Sequence, residues 1–557
     1  MSKEYFNLGS HSRPVSTDSA EAQLWFDRGL IWAYSFNHLE SVNCFERATK
    51  HDPQCAIAYW GIAYAIGPNY NKAWRCFDKQ DFAASVKKAN DAIVKASELA
   101  SQASSAEQAL IKAISTRFPP TGEAPEDLGS LDRAYADAMR FVYQSFGKDM
   151  DIAALFADAL MCMTPRGLWN LFTGKPTGKH TTEARRIIEL ALSQDEGKNH
   201  PALCHMYIHM LEMSPFPELA LPASDRLRYL VPEASHMLHM PTHIDAAVGD
   251  YRRSIDTNNQ AIIADDKYFA REKASIQYVG YRVHYVCAKL YAAMMSGRFA
   301  DAMAAADKLE EVIDSKLLAI KSPPMADIVE SFLASKAHVL VRFGRWEDIL
   351  RLKLPTDREL YCATTAIILY ARGVAYSSLN RVEEAEATRK DFEAARHCVP
   401  RSRLNSIPSF EVDVLKVASS MLEGELEYRK GNHESGFTLL RKAIELEDAL
   451  PYTDPPAWMQ PVRHALGGLL MEQNRFEEAE KLFREDLGYS NNYPRRKAKL
   501  NNVWGLHGLY ECLTRDGKDD EALFIKSAHA IAMASADVPV KASCFCRLSA
   551  VGASKCC

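Results

Sequence analysis

The sequence predicts an all-α protein, a right-handed α-solenoid in which antiparallel helix pairs stack side by side. Long stretches rich in alanine, leucine, glutamate and lysine carry an apolar residue every three or four positions, which is the period of one helix face. Proline and glycine fall mainly between these stretches. Because no sustained alternation of polar and apolar residues is present, the sequence predicts no extended sheet.

The first predicted helix pair carries large, small and helix-ending residues at the offsets of a tetratricopeptide (TPR) unit. These residues are Trp25, Gly29, Trp32, Ser41, Phe45, Ala48 and Pro53. Small side chains at Gly29 and Ser41 let two helices approach closely, and Trp32 and Phe45 fill the space beside them. Pro53 ends the second helix because it has no amide hydrogen to donate. The spacing therefore predicts a TPR-like fold.

A short inter-helix turn of the same kind recurs along the rest of the chain. It occurs as GDYRRS from Gly249, GRFADA from Gly297, GRWEDI from Gly344, NRVEEA from Asn380, GNHESG from Gly431, NRFEEA from Asn474 and GKDDEA from Gly517. Most intervals between these turns are longer than a plain TPR unit of about 34 residues, so we expect an irregular array.

We expect the repeats to form one continuous solenoid that can be divided into five stretches. These are N-terminal TPR-like repeats over 20–100, an irregular helical segment with proline- and glycine-rich loops over 101–182, central histidine-rich repeats over 183–300, C-terminal TPR-like repeats over 301–535 and a cysteine-containing tail over 536–557.

The composition disfavours several classes of function. A formal net charge of −5 gives no basic surface for nucleic acid. The polar N-terminus lacks the apolar stretch of a secretory signal, and no run of about 18 apolar residues is available to span a bilayer. Thirteen cysteines, mostly dispersed singly, indicate reduced thiols. We expect a cytoplasmic protein without stable membrane insertion, and the absence of phosphate-loop, dinucleotide and acyl-transfer motifs disfavours those chemistries.

Five histidines fall in two close-spaced groups between Cys204 and Ile244. The first group, His205 and His209 in CHMYIHMLE, is followed by Glu212. Spacings of four and three residues place these three side chains on one helix face. Two imidazoles four residues apart are a common helical pair of metal ligands. Glu212 is expected to be a third ligand, an orienting partner of His209 or a base.

The second group consists of His236, His239 and His243 in SHMLHMPTHI. Pro241 suits the first turn of a helix, so His243 is predicted to open that helix, with the other two histidines on the short segment before it. About one helical hairpin separates the two groups, and we expect them to lie side by side. His284, in an apolar helix further along, is a sixth candidate ligand because a buried imidazole needs a partner.

The number of imidazoles leaves the metal open. Six suit two metals with three ligands each, an arrangement for coupled copper and O2 chemistry, whereas three together with Glu212 suit zinc or iron. Copper is favoured over iron and zinc as the cofactor. His38, at the first inter-helix turn, is a further candidate ligand. Tyr207, Tyr281 or Tyr285 is expected to supply a phenol near the reacting centre.

The C-terminus carries four cysteines in a short stretch, namely Cys544, Cys546, Cys556 and Cys557. Three interpretations stay open: a flexible reactive tail, a soft-metal ligand pair at Cys544 and Cys546, or lipidation of the terminal Cys-Cys.

The stretch that contains both histidine groups resembles a family of TPR-containing proteins of bacteria and fungi, whose corresponding region has an IHxxE segment followed by HMPxHI. The likeness extends from about Trp25 to Leu487 and implies a helical repeat fold. The positions that stand where that family has histidine or glutamate are His205, His209, Glu212, His236, His239, His243 and His284. Fungal members look like accessory proteins of small-molecule biosynthesis, which implies an organic, secondary-metabolite-like substrate in the concave groove.

These observations lead to the hypothesis of a metal-dependent oxidoreductase on a TPR-like scaffold, acting on a small organic substrate. Glu212, Tyr207 and Tyr285 are its predicted catalytic residues. A zinc-dependent hydrolase or lyase is the variant within the enzyme class. The rival hypothesis is a non-catalytic interaction scaffold that seats a protein partner in its concave groove.

Overall fold

The computed structural model describes residues 5–272 and 276–547, which are almost entirely helical. The predicted all-α fold is confirmed. Within these ranges the strands form one short antiparallel hairpin, β1 Leu404–Ser406 and β2 Ser409–Phe410. No helix of the described ranges combines the length and the hydropathy that a membrane span needs.

The chain divides into two compact units. The first comprises Met1–Ile244 and Gln260–Tyr278, and the second comprises Asp245–Asn259 and Val279–Cys557. Helices of the first unit are α1 Ala20–Tyr34, α2 His38–His51, α3 Ala56–Ile66, α4 Lys79–Leu99, α5 Ser105–Ile114, α6 Gly129–Phe146, α7 Met150–Met161, α8 Lys179–Leu192, α9 Pro201–Leu211, α10 Leu221–Leu230 and α11 Ser235–His239. Three helices contain residues of both units: α12 Pro241–Val248, α13 Tyr251–Arg271 and α14 Ile276–Met295.

Helices of the second unit are α15 Phe299–Val312, α16 Ser315–Leu318, α17 Met325–Val329, α18 Ser335–Arg342, α19 Trp346–Arg351, α20 Cys362–Ser378, α21 Val382–His397, α22 Glu411–Arg429, α23 His433–Ala449, α24 Val462–Glu472, α25 Phe476–Asp486, α26 Val503–Arg515 and α27 Asp519–Ser535. Short 3-10 turns lie at Trp74–Cys76, Ala100–Gln102, Pro217–Ala220, Glu330–Ala334 and Arg495–Lys497.

The repeated turns share one backbone conformation. In all seven predicted turns the first residue has a positive φ, between 57° and 88°, and the next helix begins two residues later. The amide of the following residue donates to a carbonyl near the end of the preceding helix, as Arg298 N does to Ala293 O at 2.9 Å and Arg345 N to Leu340 O at 2.9 Å. This helix-ending bond requires a left-handed residue, which explains the glycine or asparagine at each turn.

Phe45 explains the small residues of the first repeat. Gly29 of α1 and Gly61 of α3 both face its ring, and a methyl group added to them would lie 2.8 Å and 2.6 Å from ring carbons. Ser41 of α2 also donates its hydroxyl to the Gly29 carbonyl at 2.6 Å. Helices α1, α2 and α3 therefore close around one phenylalanine, the packing that the TPR spacing predicts.

The second unit contains a similar wedge, meaning a phenylalanine ring that packs between glycines of the neighbouring helices. Phe483 of α25 lies between Gly467 of α24 and Gly508 of α26, and a methyl group at either glycine would lie 2.5 Å or 2.6 Å from its ring. Within the same unit α20 packs on α21, α22 on α23, α24 on α25 and α26 on α27. Both units are thus TPR-like arrays of helix pairs.

Three predictions from the sequence stay predictions. The division into five stretches, the single continuous solenoid with its superhelical hand and the cytoplasmic location are not tested by these features. Cys556 and Cys557 lie outside the described residues, and so does the site of lipidation in the third interpretation of the C-terminus.

Candidate metal centre

Helix α9 places the first histidine group in the core of the first unit. Pro201 occupies the first turn of α9, and every residue of this helix is buried. His205 and His209 are four residues apart, and their ring centroids lie 4.8 Å from each other. The predicted common face of this helix therefore exists.

The second group reaches the same place from α11 and α12. Pro241 begins α12, as predicted, and His243 lies in its first turn, whereas His236 and His239 lie on the short helix α11. The ring of His236 is 4.9 Å from that of His205 and 6.3 Å from that of His209. The two groups meet within the first unit.

His205, His209 and His236 form a compact histidine trio. One ring nitrogen from each lies within 4.8 Å of the other two. Their relative exposures are 0%, 2% and 1%, so all three side chains are buried.

Hydrogen bonds fix the tautomers of two members of the histidine trio. His205 Nδ1 lies 2.7 Å from the carbonyl of Tyr34, and His209 Nδ1 lies 2.8 Å from Oε1 of Glu212. A carbonyl and a carboxylate only accept, so each Nδ1 carries the hydrogen and each Nε2 keeps its lone pair. Neither Nε2 has a hydrogen-bond partner among the described residues. Burial also lowers the pKa of both imidazoles, which keeps them neutral.

Glu212 links the trio to a second pair of histidines. Its Oε1 accepts from His209 Nδ1 and its Oε2 accepts from His243 Nδ1. Burial alone would raise the pKa of Glu212, but the two imidazoles hold it well below its ordinary value. The carboxylate therefore orients two rings at once, the position of an outer-shell partner of metal-ligating histidines.

His239 and His243 form this pair. Their Nε2 atoms lie 3.0 Å apart, and Thr242 Oγ1 lies 3.3 Å from Nδ1 of His239. Two nitrogens bound to one ion at about 2.0–2.1 Å are separated by roughly this distance. The arrangement is compatible with a second ligand pair beside the trio.

Two other predicted residues, Tyr207 and His38, have hydrogen-bond partners of their own. Tyr207, two positions from each histidine of α9, donates its hydroxyl to Glu189 of α8 at 3.0 Å. His38 accepts from Asn69 Nδ2 at 2.9 Å, and burial lowers its pKa to about 3. His38 belongs to none of the ligand groups that the described residues form.

Helix α14 carries the remaining candidates among residues of the second unit. His284 is half-buried, Tyr285 is buried, and their ring centroids are 6.3 Å apart. Their membership of the site stays a prediction, as does a role for Tyr281. Within the described part of the chain, Cys544 and Cys546 join no group of three metal-ligating side chains.

Two aromatic residues next to the trio, Phe36 and Tyr70, were not predicted from the sequence. The Phe36 ring lies 4.6 Å, 5.3 Å and 5.8 Å from the rings of His205, His236 and His209. Phe36 has a φ of 56°, in the turn position that glycine or asparagine occupies in the seven later repeats. A phenylalanine at a turn position that elsewhere holds glycine or asparagine is the sequence signal that could have identified Phe36.

The second missed residue is Tyr70. Its ring lies 4.6 Å from that of His209, and its side chain is 1% exposed. Burial raises its pKa, so the phenol stays protonated. Tyr70 follows α3 in the loop GPNYN, which is remote from both histidine groups in sequence.

A third histidine-containing cluster has a different character. His11 and His200 each place Nε2 at 3.1 Å from Oδ1 of Asp151, which also accepts from the Tyr34 hydroxyl at 2.7 Å. Nδ1 of His200 accepts from the amide of Leu203, so its Nε2 carries the hydrogen. This cluster is a satisfied hydrogen-bond network and offers no spare lone pair from His200.

Comparison with known proteins adds distant likenesses only. No protein-family model and no curated protein matches the chain. A structure of IFIT1 with m7Gppp-AAAA is 12% identical over 92% of this chain and 96% of that chain, with a TM-score of 0.35. Yeast Tom70 is 13% identical over 90% and 96%, with a TM-score of 0.30, and the P58(IPK) TPR domain is 14% identical over 76% and 99%, with a TM-score of 0.18. The TPR-like architecture rests on the turns and glycine wedges described above.

Proposed function

We propose that the protein is a metal-dependent enzyme that binds a transition metal on the histidine trio. The observation that carries this proposal is the pair of buried Nε2 atoms on His205 and His209, each left bare by a hydrogen bond at Nδ1. Without an ion, each of these nitrogens is a desolvated acceptor that costs about 1–3 kcal/mol. A metal ion satisfies both, together with His236.

The ligand set favours a reactive site over a closed structural one. Structural zinc sites use four protein ligands, whereas three protein ligands leave a position for water or substrate. Neutral imidazoles suit copper, iron and zinc, and the adjacent His239–His243 pair favours copper because coupled copper chemistry uses two ions held by histidines. A copper ion at this place would supply one-electron redox chemistry toward a small organic molecule. Zinc-dependent hydrolysis or elimination is the variant.

The protein's own residues have separate roles in this proposal. Glu212 holds the Nδ1 hydrogens of His209 and His243 and so fixes the direction of both rings. Tyr70 can donate its phenolic hydrogen beside His209. The roles predicted for Tyr207 and Tyr285 stay proposals.

Metal content tests this function. Full-length protein reconstituted with copper, iron(II) or zinc and then desalted is expected to retain about one equivalent or more of metal. His209→Ala and His236→Ala are expected to retain far less. His397→Ala is the matched control, because His397 is exposed and lies in the second unit. Equal retention by all three variants, or none by the unmodified protein, contradicts the proposal.

A further inference from the structure

The residues that follow α27 pack against helices α15, α18, α22, α24 and α26 of the second unit. The surface that these helices form for them is here called the seat. Residues 536–547, here called the C-terminal segment, contain no helix or strand. Within this segment Val540, Ala542, Ser543 and Cys546 are at most 3% exposed. The segment therefore packs against the second unit through a series of bends and turns and is not a free tail.

Arginine side chains hold the main chain of the segment. Arg342 of α18 donates to the Ser543 carbonyl at 2.5 Å, and Arg429 of α22 donates to the Cys546 carbonyl. The Ser543 hydroxyl donates to the carbonyl of His464 in α24 at 3.0 Å. Contacts to backbone carbonyls do not depend on the side chains of the bound segment, which is how grooves bind extended peptides.

Charges at the two ends of the segment are matched by the seat. The carboxylate of Asp537 accepts from the amides of Phe299 and Ala300, at 2.6 Å and 2.9 Å, at the start of α15. At the other end Arg547 donates to the carboxylate of Glu511 in α26, at 2.9 Å and 3.1 Å. A helix N-terminus thus receives the acid, and a carboxylate receives the base.

Glycines make room for the segment between these ends. A methyl group at Gly344 would lie 2.7 Å from Phe545, and one at Gly508 would lie 2.9 Å from the Cβ of Ser543. Trp504 lies edge-on to Phe545, with ring centroids 5.8 Å apart. The seat therefore fits small residues around one aromatic ring.

The segment contributes a few side chains to the apolar core of the second unit, where Cys546 is buried and Cys544 and Phe545 pack against the core. The apolar side chains that it buries most completely are small, namely Val540, Ala542 and Cys546. Its release exposes less apolar surface than unfolding of α24 or α26, each of which buries a longer run of apolar residues. Elements with fewer buried apolar side chains open locally without global unfolding.

We propose that this seat is a peptide-binding groove that the protein's own C-terminal segment fills. The groove takes in trans a peptide of the same pattern: an acidic residue, then two small residues, an aromatic residue, a small residue and an arginine, at the spacing of Asp537, Ala542, Ser543, Phe545, Cys546 and Arg547. All residues of the groove belong to the second unit, so the proposal is independent of the metal.

Peptide binding to the full-length chain tests the groove. Ala542→Arg places a long charged side chain at a position with 0% exposure and ejects the segment in cis. A labelled synthetic peptide, ADVPVKASCFCR, is expected to bind this variant at least about tenfold tighter than the unmodified protein, whose groove is already occupied. Fluorescence anisotropy under reducing conditions measures both dissociation constants.

The control variant is Lys541→Arg, which introduces the same residue at the adjacent exposed position and should bind like the unmodified protein. A folded Ala542→Arg protein that does not bind the peptide overturns the proposal. Hydrogen exchange on the unmodified protein decides the question if that variant fails to fold. Amides of residues 540–547 are expected to exchange at least about a hundredfold faster than those of α24 and α26, and equal rates overturn the proposal.

Discussion

At the residue scale, the trio depends on partners that fix its rings. Tyr34, the last residue of α1, offers a carbonyl that the helix itself does not use, and His205 donates to it. Glu212 does the same for His209 through its side chain. Bare Nε2 atoms are a consequence of these two bonds, because a neutral imidazole carries one hydrogen.

Glu212→Gln is predicted to weaken metal binding by about 10–100-fold. A carboxamide can accept from one Nδ1 hydrogen, but its NH2 group then faces the other ring and forces that ring to change tautomer or turn. Competition with a chelator measures the affinity. Glu189→Gln, which removes the carboxylate that contacts Tyr207 and not a histidine, should leave it unchanged. Equal affinities in the two variants would disprove the orienting role.

Phe36 combines backbone strain with packing against the histidines. Its φ of 56° is unfavourable for a bulky residue, and its ring is 5% exposed. Strain of this kind persists where the surroundings hold a residue for a purpose. The ring lies next to all three histidines of the trio.

Replacing Phe36 by glycine or by alanine separates strain from packing. Both variants lose the buried ring and should be less stable by about 3 kcal/mol. The glycine variant should be more stable than the alanine variant by roughly 1 kcal/mol, because alanine at this position is still strained by the left-handed backbone conformation and glycine is not. Chemical denaturation, monitored by a signal from the first unit, measures the difference in the free energy of unfolding between the two variants. An alanine variant as stable as the glycine variant would remove the strain argument.

At the element scale, close helix approach organises both units. The wedges at Phe45 and Phe483 need glycines on the flanking helices, since any Cβ there would overlap the ring. The same logic places a glycine or asparagine at each inter-helix turn, where the helix end requires a positive φ.

Gly61→Ala and Gly280→Ala are predicted to change stability in opposite directions. A methyl group at Gly61 would lie 2.6 Å from Phe45 and should destabilise the protein by about 1–3 kcal/mol. Gly280, inside α14, has no atom within 4 Å of the added methyl, so alanine should stabilise it by about 0.5–1 kcal/mol through better helix propensity. Thermal unfolding of both variants measures the signs, and a stabilising Gly61→Ala would refute the wedge.

At the scale of the whole molecule, local signals predict helices and long-range contacts complete the site. The helix pairs, the seven turns and the start of α12 at Pro241 follow from residue type at short spacing. The meeting of the two histidine groups was also predictable, because one hairpin separates them. The Tyr34 carbonyl is 171 residues from His205, and no local pattern connects them.

The C-terminal segment illustrates the same limit. Its cysteines leave three interpretations open, and none of them predicts the hydrogen bond from Arg342, which lies 201 residues before Ser543. A short stretch without helical periodicity carries no information about a seat formed by distant helices. Phe36 and Tyr70 were missed for a related reason, since their rings reach the trio from the turn after α1 and the loop after α3.

The most direct test of the metal centre is anomalous diffraction from crystals of the reconstituted protein, recorded at the absorption edge of the bound metal. An anomalous peak about 2.0–2.2 Å from Nε2 of His205 and Nε2 of His209, and within reach of the His236 ring, is the predicted result. The contradicting result is the absence of an anomalous peak between the histidine rings in crystals of protein that had been saturated with metal.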